Sequence, residues 1–260
     1  MSTSVYCPSN KHIDLPCIRR VETGAPLAWL NAGWDDFRRA WRTSLPYGMA
    51  LAAVGAGLVY YAADRPFLAL ALAGGFLLAM PLVAAGFQQI SHRLEWRDGG
   101  RIGAPPPIGR LFDTNTALFG LLLVVVVALW VNLAAIATAL LSPRELAMSA
   151  SFSLSALFGV DNLAFLAAYF GIGAVLAATV FGIGAITLPM LMDRQTDLIT
   201  AIATSLLVVK ENPAAMTLWA TLIGALALAG MLSLFVGFAV LLPVLGHATW
   251  HAYRDLLAKA

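Results

Sequence analysis

Near its C-terminus the chain reads LLPVLGHATWHAYRDLLAKA, with His247 and His251 four residues apart. On a helix that spacing puts two imidazoles about 40° and 6 Å apart on one face. Such a pair can chelate one metal ion, as the two histidines of the H-E-x-x-H zinc motif do. Here Ala248, Thr249 and Trp250 lie between them, so the glutamate general base is missing and zinc-protease chemistry is excluded. Nor can one straight helix offer both rings to opposite faces of a haem. His92, in FQQISHRLEW, is expected at the same end of the molecule. If it meets the pair, His92, His247 and His251 make a metal site or part of a haem site. If it does not, the three rings are interfacial anchors beside Arg93, Trp96, Trp250 and Tyr253.

A second group is CPSNKHIDLPC, which spaces Cys7, His12 and Cys17 evenly. Thiolate and imidazole suit zinc or copper, but the spacing fits no common metal motif and a fourth ligand is missing. The two cysteines imply no disulfide framework, and residues 1–25 read as a flexible cytoplasmic tail with reduced thiols. No P-loop, dinucleotide fingerprint or serine or cysteine nucleophile with a partner is legible, and nucleic-acid binding has no support.

The elements that hold these residues are set by composition. Sixty per cent of the 260 residues are apolar and 12% are charged, against about 25% charged in soluble domains. The apolar residues come in blocks long enough to cross a hydrocarbon core about 30 Å thick. The expected fold is an all-α polytopic membrane domain over 26–257 with six transmembrane helices, at about 44–63, 66–90, 114–141, 163–190, 213–232 and 234–251. The last two come from one run, Pro213 to Trp250, which is too long for one crossing and is expected to turn near LFVGF. Pro81, Pro189 and Pro243 fall at matching places in the second, fourth and sixth, so three pseudo-repeated helical hairpins are one account and chance is the other.

Charge supports six. With the N-terminus inside, fourteen of the sixteen Lys and Arg residues lie on the cytoplasmic side, only Arg65 and Arg144 falling outside. That is the positive-inside pattern, with both termini cytoplasmic. The chain has no secretory signal, so its first apolar segment is expected to act as an uncleaved anchor. An amphipathic helix at 26–42, with Leu30, Trp34, Phe37 and Trp41 on one side and Asn31, Asp35, Asp36 and the arginines on the other, is expected to lie on the membrane surface. A second is expected at about 196–210, and SPREL carries a capping box that starts a short outer helix. GGRIGAPPPIGR reads as an exposed loop.

The segments APLAWLNAGWDDFRRAW, LPMLMDRQTDLITAIATSLLVVKENPAAMTLWA and LPVLGHATWHAYRDLL resemble a bacterial family of integral membrane proteins catalogued as a domain of unknown function. The likeness spans roughly residues 18 to 257, and some members carry a cytochrome c oxidase subunit label. It implies a multi-pass inner-membrane protein and supplies no catalytic residue. Four histidines are too few for a catalytic oxidase subunit with its haems and copper.

Ionisable residues inside a bilayer normally mark ion or proton paths, and none stands near the middle of these segments. The leading expectation is therefore a non-enzymatic accessory or assembly partner of a membrane complex, with a respiratory complex as one candidate, embedded in the lipid bilayer and requiring no cofactor. One alternative is a passive channel or carrier for a neutral solute, lined by Asn132, Thr179 and Thr187. The other is a haem- or transition-metal-binding protein using His92, His247 and His251.

Overall fold

The computed structural model describes residues 5–8, 15–99, 113–141 and 163–258. His12, the loop at 100–112 and the SPREL segment lie outside them. Strands β1 (Val5–Tyr6) and β2 (Ile18–Arg19) form a small antiparallel pair. The helices are α1 (Ala25–Arg39), α2 (Trp41–Tyr61), α3 (Pro66–Asp98), α4 (Thr114–Leu141), α5 (Leu163–Gly184), α6 (Thr187–Asp193), α7 (Leu198–Glu211), α8 (Pro213–Leu232) and α9 (Phe238–Leu256).

The helix ends follow from local chemistry. Proline opens α3 and α8, where its missing N–H is one that a first turn leaves unpaired anyway. Asp197 caps α7 by accepting from the Thr200 N–H at 2.9 Å. In α1, Arg38 and Arg39 sit in the last turn, where positive charge meets the free carbonyls.

Five helical stretches are long and apolar enough to cross a membrane: Trp41–Tyr61, Phe67–Asp98, Thr114–Leu141, Leu163–Asp193 and Pro213–Leu232. The sixth expected crossing, at 234–251, is helical but is not among them. The helix there, Phe238–Leu256, carries His247, Thr249, His251, Arg254 and Asp255, and it packs inside the bundle. Helices α1, α2, α3 and α8 all pack on α9, and Phe238, His247, Ala248, Trp250 and Leu256 have no exposed surface. Close approach makes this possible. A Cβ on Gly33 of α1 would stand 2.6 Å from the Val244 carbonyl oxygen, and one on Gly48 of α2 would collide with the Ala239 carbonyl.

The turn between α8 and α9 falls where expected, at 233–237. Leu234 and Phe235 adopt positive φ of 53° and 68°, a conformation that costs a non-glycine residue roughly 1–2 kcal/mol. The Phe235 N–H reaches back to the Gly230 carbonyl at 3.0 Å, closing α8. Burial of the Phe235 ring against Gly55, Phe76 and Phe238 offsets the cost. Phe76 lies ten residues into α3, so the turn stops about 15 Å short of the end where α2 passes to α3. Its tip is apolar and open, with Leu234 81% and Val236 73% exposed.

Within the tail expected over 1–25, several of the described residues are tied down. Cys7 and Cys17 are joined as a disulfide, because the strand register brings Tyr6 beside Ile18 and the two cysteines next to it. Ile18 is fully buried and bridges to Leu257, the Val21 N–H donates to Asn212 Oδ1 at 2.8 Å, and Arg20 pairs with Glu211 at 2.7 Å. This corrects the reading of two reduced thiols on a loose segment: residues 15–24 dock on the ends of α7 and α9.

The level of the 233–237 turn predicts a labelling pattern. In a chain with Cys7 and Cys17 replaced by serine, Asp64→Cys should react with a membrane-impermeant maleimide in intact membranes. Leu234→Cys should resist the reagent from both sides until detergent is added, although Leu234 is exposed on the protein surface. Equal reaction of the two in intact membranes would put the turn at the bilayer surface.

Candidate functional site

At one end of the bundle, described polar groups form two sets. The first is a chain of hydrogen bonds through four helices. Ser91 Oγ on α3 donates to Asp36 Oδ2 on α1 at 2.7 Å, and His251 Nε2 on α9 reaches the same oxygen at 2.8 Å. His247 Nδ1 lies 2.8 Å from Ser91 Oγ, and its Nε2 lies 3.0 Å from Ser44 Oγ on α2. Since the Ser91 proton goes to the carboxylate, His247 carries its proton on Nδ1 and accepts from Ser44 at Nε2. The order is Ser44–His247–Ser91–Asp36–His251, each link using one donor and one acceptor.

Asp36 explains why the chain holds together. Burial alone would push its carboxyl up, but the hydrogen bonds from His251 and Ser91 outweigh that and hold it below its ordinary range. The sequence reading placed Asp36 on the polar, outward side of its helix. In the structure the packed face of α1 is Pro26, Trp29, Gly33, Asp36 and Phe37, while Trp34 is 44% exposed. The stripe is rotated because the small Gly33 lets the α1 and α9 backbones meet, and that contact selects the face.

The second set surrounds Glu95 and Asp193. Glu95 accepts from Trp250 Nε1 at 2.9 Å and pairs with Arg254 at 2.7 Å. Asp193 accepts from the Tyr253 hydroxyl at 2.6 Å and lies 3.3 Å from Arg254 and 3.4 Å from His92 Nε2. Burial pushes the Tyr253 phenol up, which keeps its proton available for that bond. His92 stacks on Trp250 at 4.4 Å. Thus His92 faces Asp193 and Trp250, while His247 and His251 face the serine–aspartate chain. Among the described residues, no group of three or more His, Cys, Asp or Glu side chains could hold a metal ion.

Sequence reasoning missed Ser44, Ser91, Asp36, Glu95 and Asp193. The Ser44–His247 pair has the separation of a nucleophile and its base. Both residues are fully buried, however, and Ser91 is 1% exposed. The three residues suggested as a pore lining do not share a path. Asn132 and Thr179 are exposed and bond to their own helix carbonyls at Ala128 and Val175, whereas Thr187 is buried. Beside the polar chain, a cavity of about 260 Å³ lies between α3, α5, α8 and α9.

Replacing Asp36 by Asn should lower stability by about 2–4 kcal/mol, the cost of breaking a buried charged network. The pH dependence has a definite sign. A carboxyl whose pKa falls on folding contributes stability above its unfolded value, near 3.8, and loses it as pH drops through the lower folded value. Thermal unfolding in detergent should therefore show the wild type losing more stability than Asp36→Asn on acidification through that range. Parallel curves would contradict this.

Comparison with known proteins adds one finding. The family described as "Predicted integral membrane protein (DUF2189)" matches residues 68–193, a stretch from the start of α3 to the end of α6. The match takes in only the first residues of one of the three segments on which the resemblance rests, and it lends nothing to the oxidase label. No curated protein and no solved structure matches the chain. The match and the apolar helices together make this a multi-pass integral membrane protein, similar over nearly half its length to a family of unknown function.

Proposed function

We propose that this protein is a non-enzymatic accessory or assembly partner of a larger complex in the bacterial inner membrane, with a respiratory complex the first candidate. The observation that carries this reading is the closed use of its polar groups. Ser44, His247, Ser91, Asp36 and His251 spend their hydrogen bonds on one another. Glu95, Asp193, Arg254 and Tyr253 do the same. Such an arrangement stiffens one end of a helical bundle and offers a substrate nothing.

What it leaves outward is the far side of α1 and the start of α2. Leu27, Trp34 and Trp41 are 53%, 44% and 51% exposed, beside the exposed Arg38, Arg39 and Arg42. Tryptophan and arginine are the residues most often found at the centre of protein interfaces. The charge pattern favours both termini in the cytoplasm, and a hairpin of α8 and α9 that enters and leaves on one side keeps that parity with four full crossings. On that side the Cys7–Cys17 bond meets a reducing compartment, where such bonds are reversible rather than permanent staples.

Purification from native membranes in a mild detergent tests the reading. A membrane protein partner should co-purify at a fixed ratio, and Trp34→Ser with Trp41→Ser should release it without lowering the thermal stability of the chain. A monodisperse protein with no partner at native expression would overturn it.

A further inference from the structure

The cavity beside the polar chain has a shape and a chemistry of its own. Its walls are Leu77 and Pro81 of α3, Phe181 of α5, and Trp219 and Ile223 of α8, with Gln88 and Thr249 at one end. Among the described residues, helices α5 and α8 make little contact, so the cavity is a slot between two apolar helices. From Leu77 to Gln88 the wall on α3 runs eleven residues, about 16 Å. That is half of a hydrocarbon core about 30 Å thick, the depth of one leaflet.

Polarity along the slot is graded. Its deep end lies near Leu77 and Ala227 and is wholly apolar, level with the 233–237 turn. The other end approaches the polar set around Ser91, His92 and Glu95, where a headgroup region would begin. There Gln88 is 2% exposed, and its Oε1 has no hydrogen-bond partner among the described residues. A buried amide oxygen without a donor is unfavourable. Gln88 is one of the residues that line the slot, so a donor held there is the partner its amide oxygen lacks. Thr249 does not supply the donor, since its hydroxyl is bonded to the Leu245 carbonyl.

We propose that the slot binds a single-chain amphiphile of the adjacent leaflet whose polar end is a hydroxyl. The chain lies along α3 towards the middle of the bilayer, and the hydroxyl donates to the Gln88 carboxamide. Long-chain alcohols, monoacylglycerols and isoprenoid hydroquinones share this chemistry.

Photo-crosslinking separates specific occupancy from the general lipid coat. The probes are a diazirine-bearing hexadecanol and its methyl ether, which has the same chain and no donor, each added to the full chain in lipid vesicles. The alcohol should label peptides from 77–88, 177–188 and 219–227 roughly three- to tenfold more than the ether, as one net hydrogen bond implies. Gln88→Leu should equalise the two probes. Gly224→Phe should abolish slot labelling by both, because a side chain there enters open space and meets nothing within 4 Å at its Cβ. Labelling at Leu121 and Val125, which face outward on α4, should be unchanged throughout and serves as the measure of the lipid coat. Equal labelling of the slot by alcohol and ether in the wild type, or slot labelling no stronger than that on α4, would overturn the proposal.

Discussion

The structure depends on burying α9, a helix too polar for lipid and too apolar for water. Phe238, Ala248 and Leu256 need a core, while His247, His251, Arg254 and Asp255 need partners. Both are met only by surrounding the helix with protein. A buried network is favourable when every member is satisfied and worse than an apolar core when one is not. That is why the chain Ser44–His247–Ser91–Asp36–His251 spans α2, α9, α3 and α1 rather than pairing within one element. Trp29 completes the enclosure by donating to Asp255 at 2.9 Å.

Much of the remaining architecture follows from that burial. Side chains as small as Gly33 and Gly48 are needed where α1 and α2 press on α9, and the same closeness aligns Asp36 with His251. Helix α8 meets the bundle through Trp219, which packs edge-on against Trp29 at 5.8 Å, and through Gly230 beneath Phe238. Between those two contacts it stands away from α5, which creates the slot. The polar chain and the slot thus share α3 and α9 but are separate: one is sealed by neighbouring helices, the other is open to the surroundings of the bundle.

The sequence reveals the apolar helices well, because blocks of eighteen or more apolar residues have few other uses. Residues 114–141 and 213–232 are helical as expected, and the surface helix read at 196–210 spans Leu198–Glu211. The turn at 233–237 follows from length alone. The depth of that turn does not, since it is set by Phe235 finding Gly55 and Phe76. Sorting residues by polarity sends Asp36 outward, and partners 55 and 215 residues away bring it in. His92 and the His247–His251 pair do lie near one end of the bundle, yet α9 turns Trp250 towards His92 and His247 towards Ser44 and Ser91. Helical spacing gives relative angles along one element; it carries nothing about which neighbour each face will meet.

The central claim is that Ser91 transmits one interaction between Asp36 and His247, so that α1, α2, α3 and α9 are held by a single chain. A double-mutant cycle of Asp36→Asn and His247→Ala, read by thermal or denaturant unfolding in mild detergent, tests it directly. Ser91 Oγ bonds to both residues, at 2.7 Å to Asp36 and 2.8 Å to His247. A connected chain predicts a coupling energy of about 1–3 kcal/mol that disappears when Ser91 is replaced by Ala. Effects that add to within about 0.5 kcal/mol, with or without Ser91, would contradict the account.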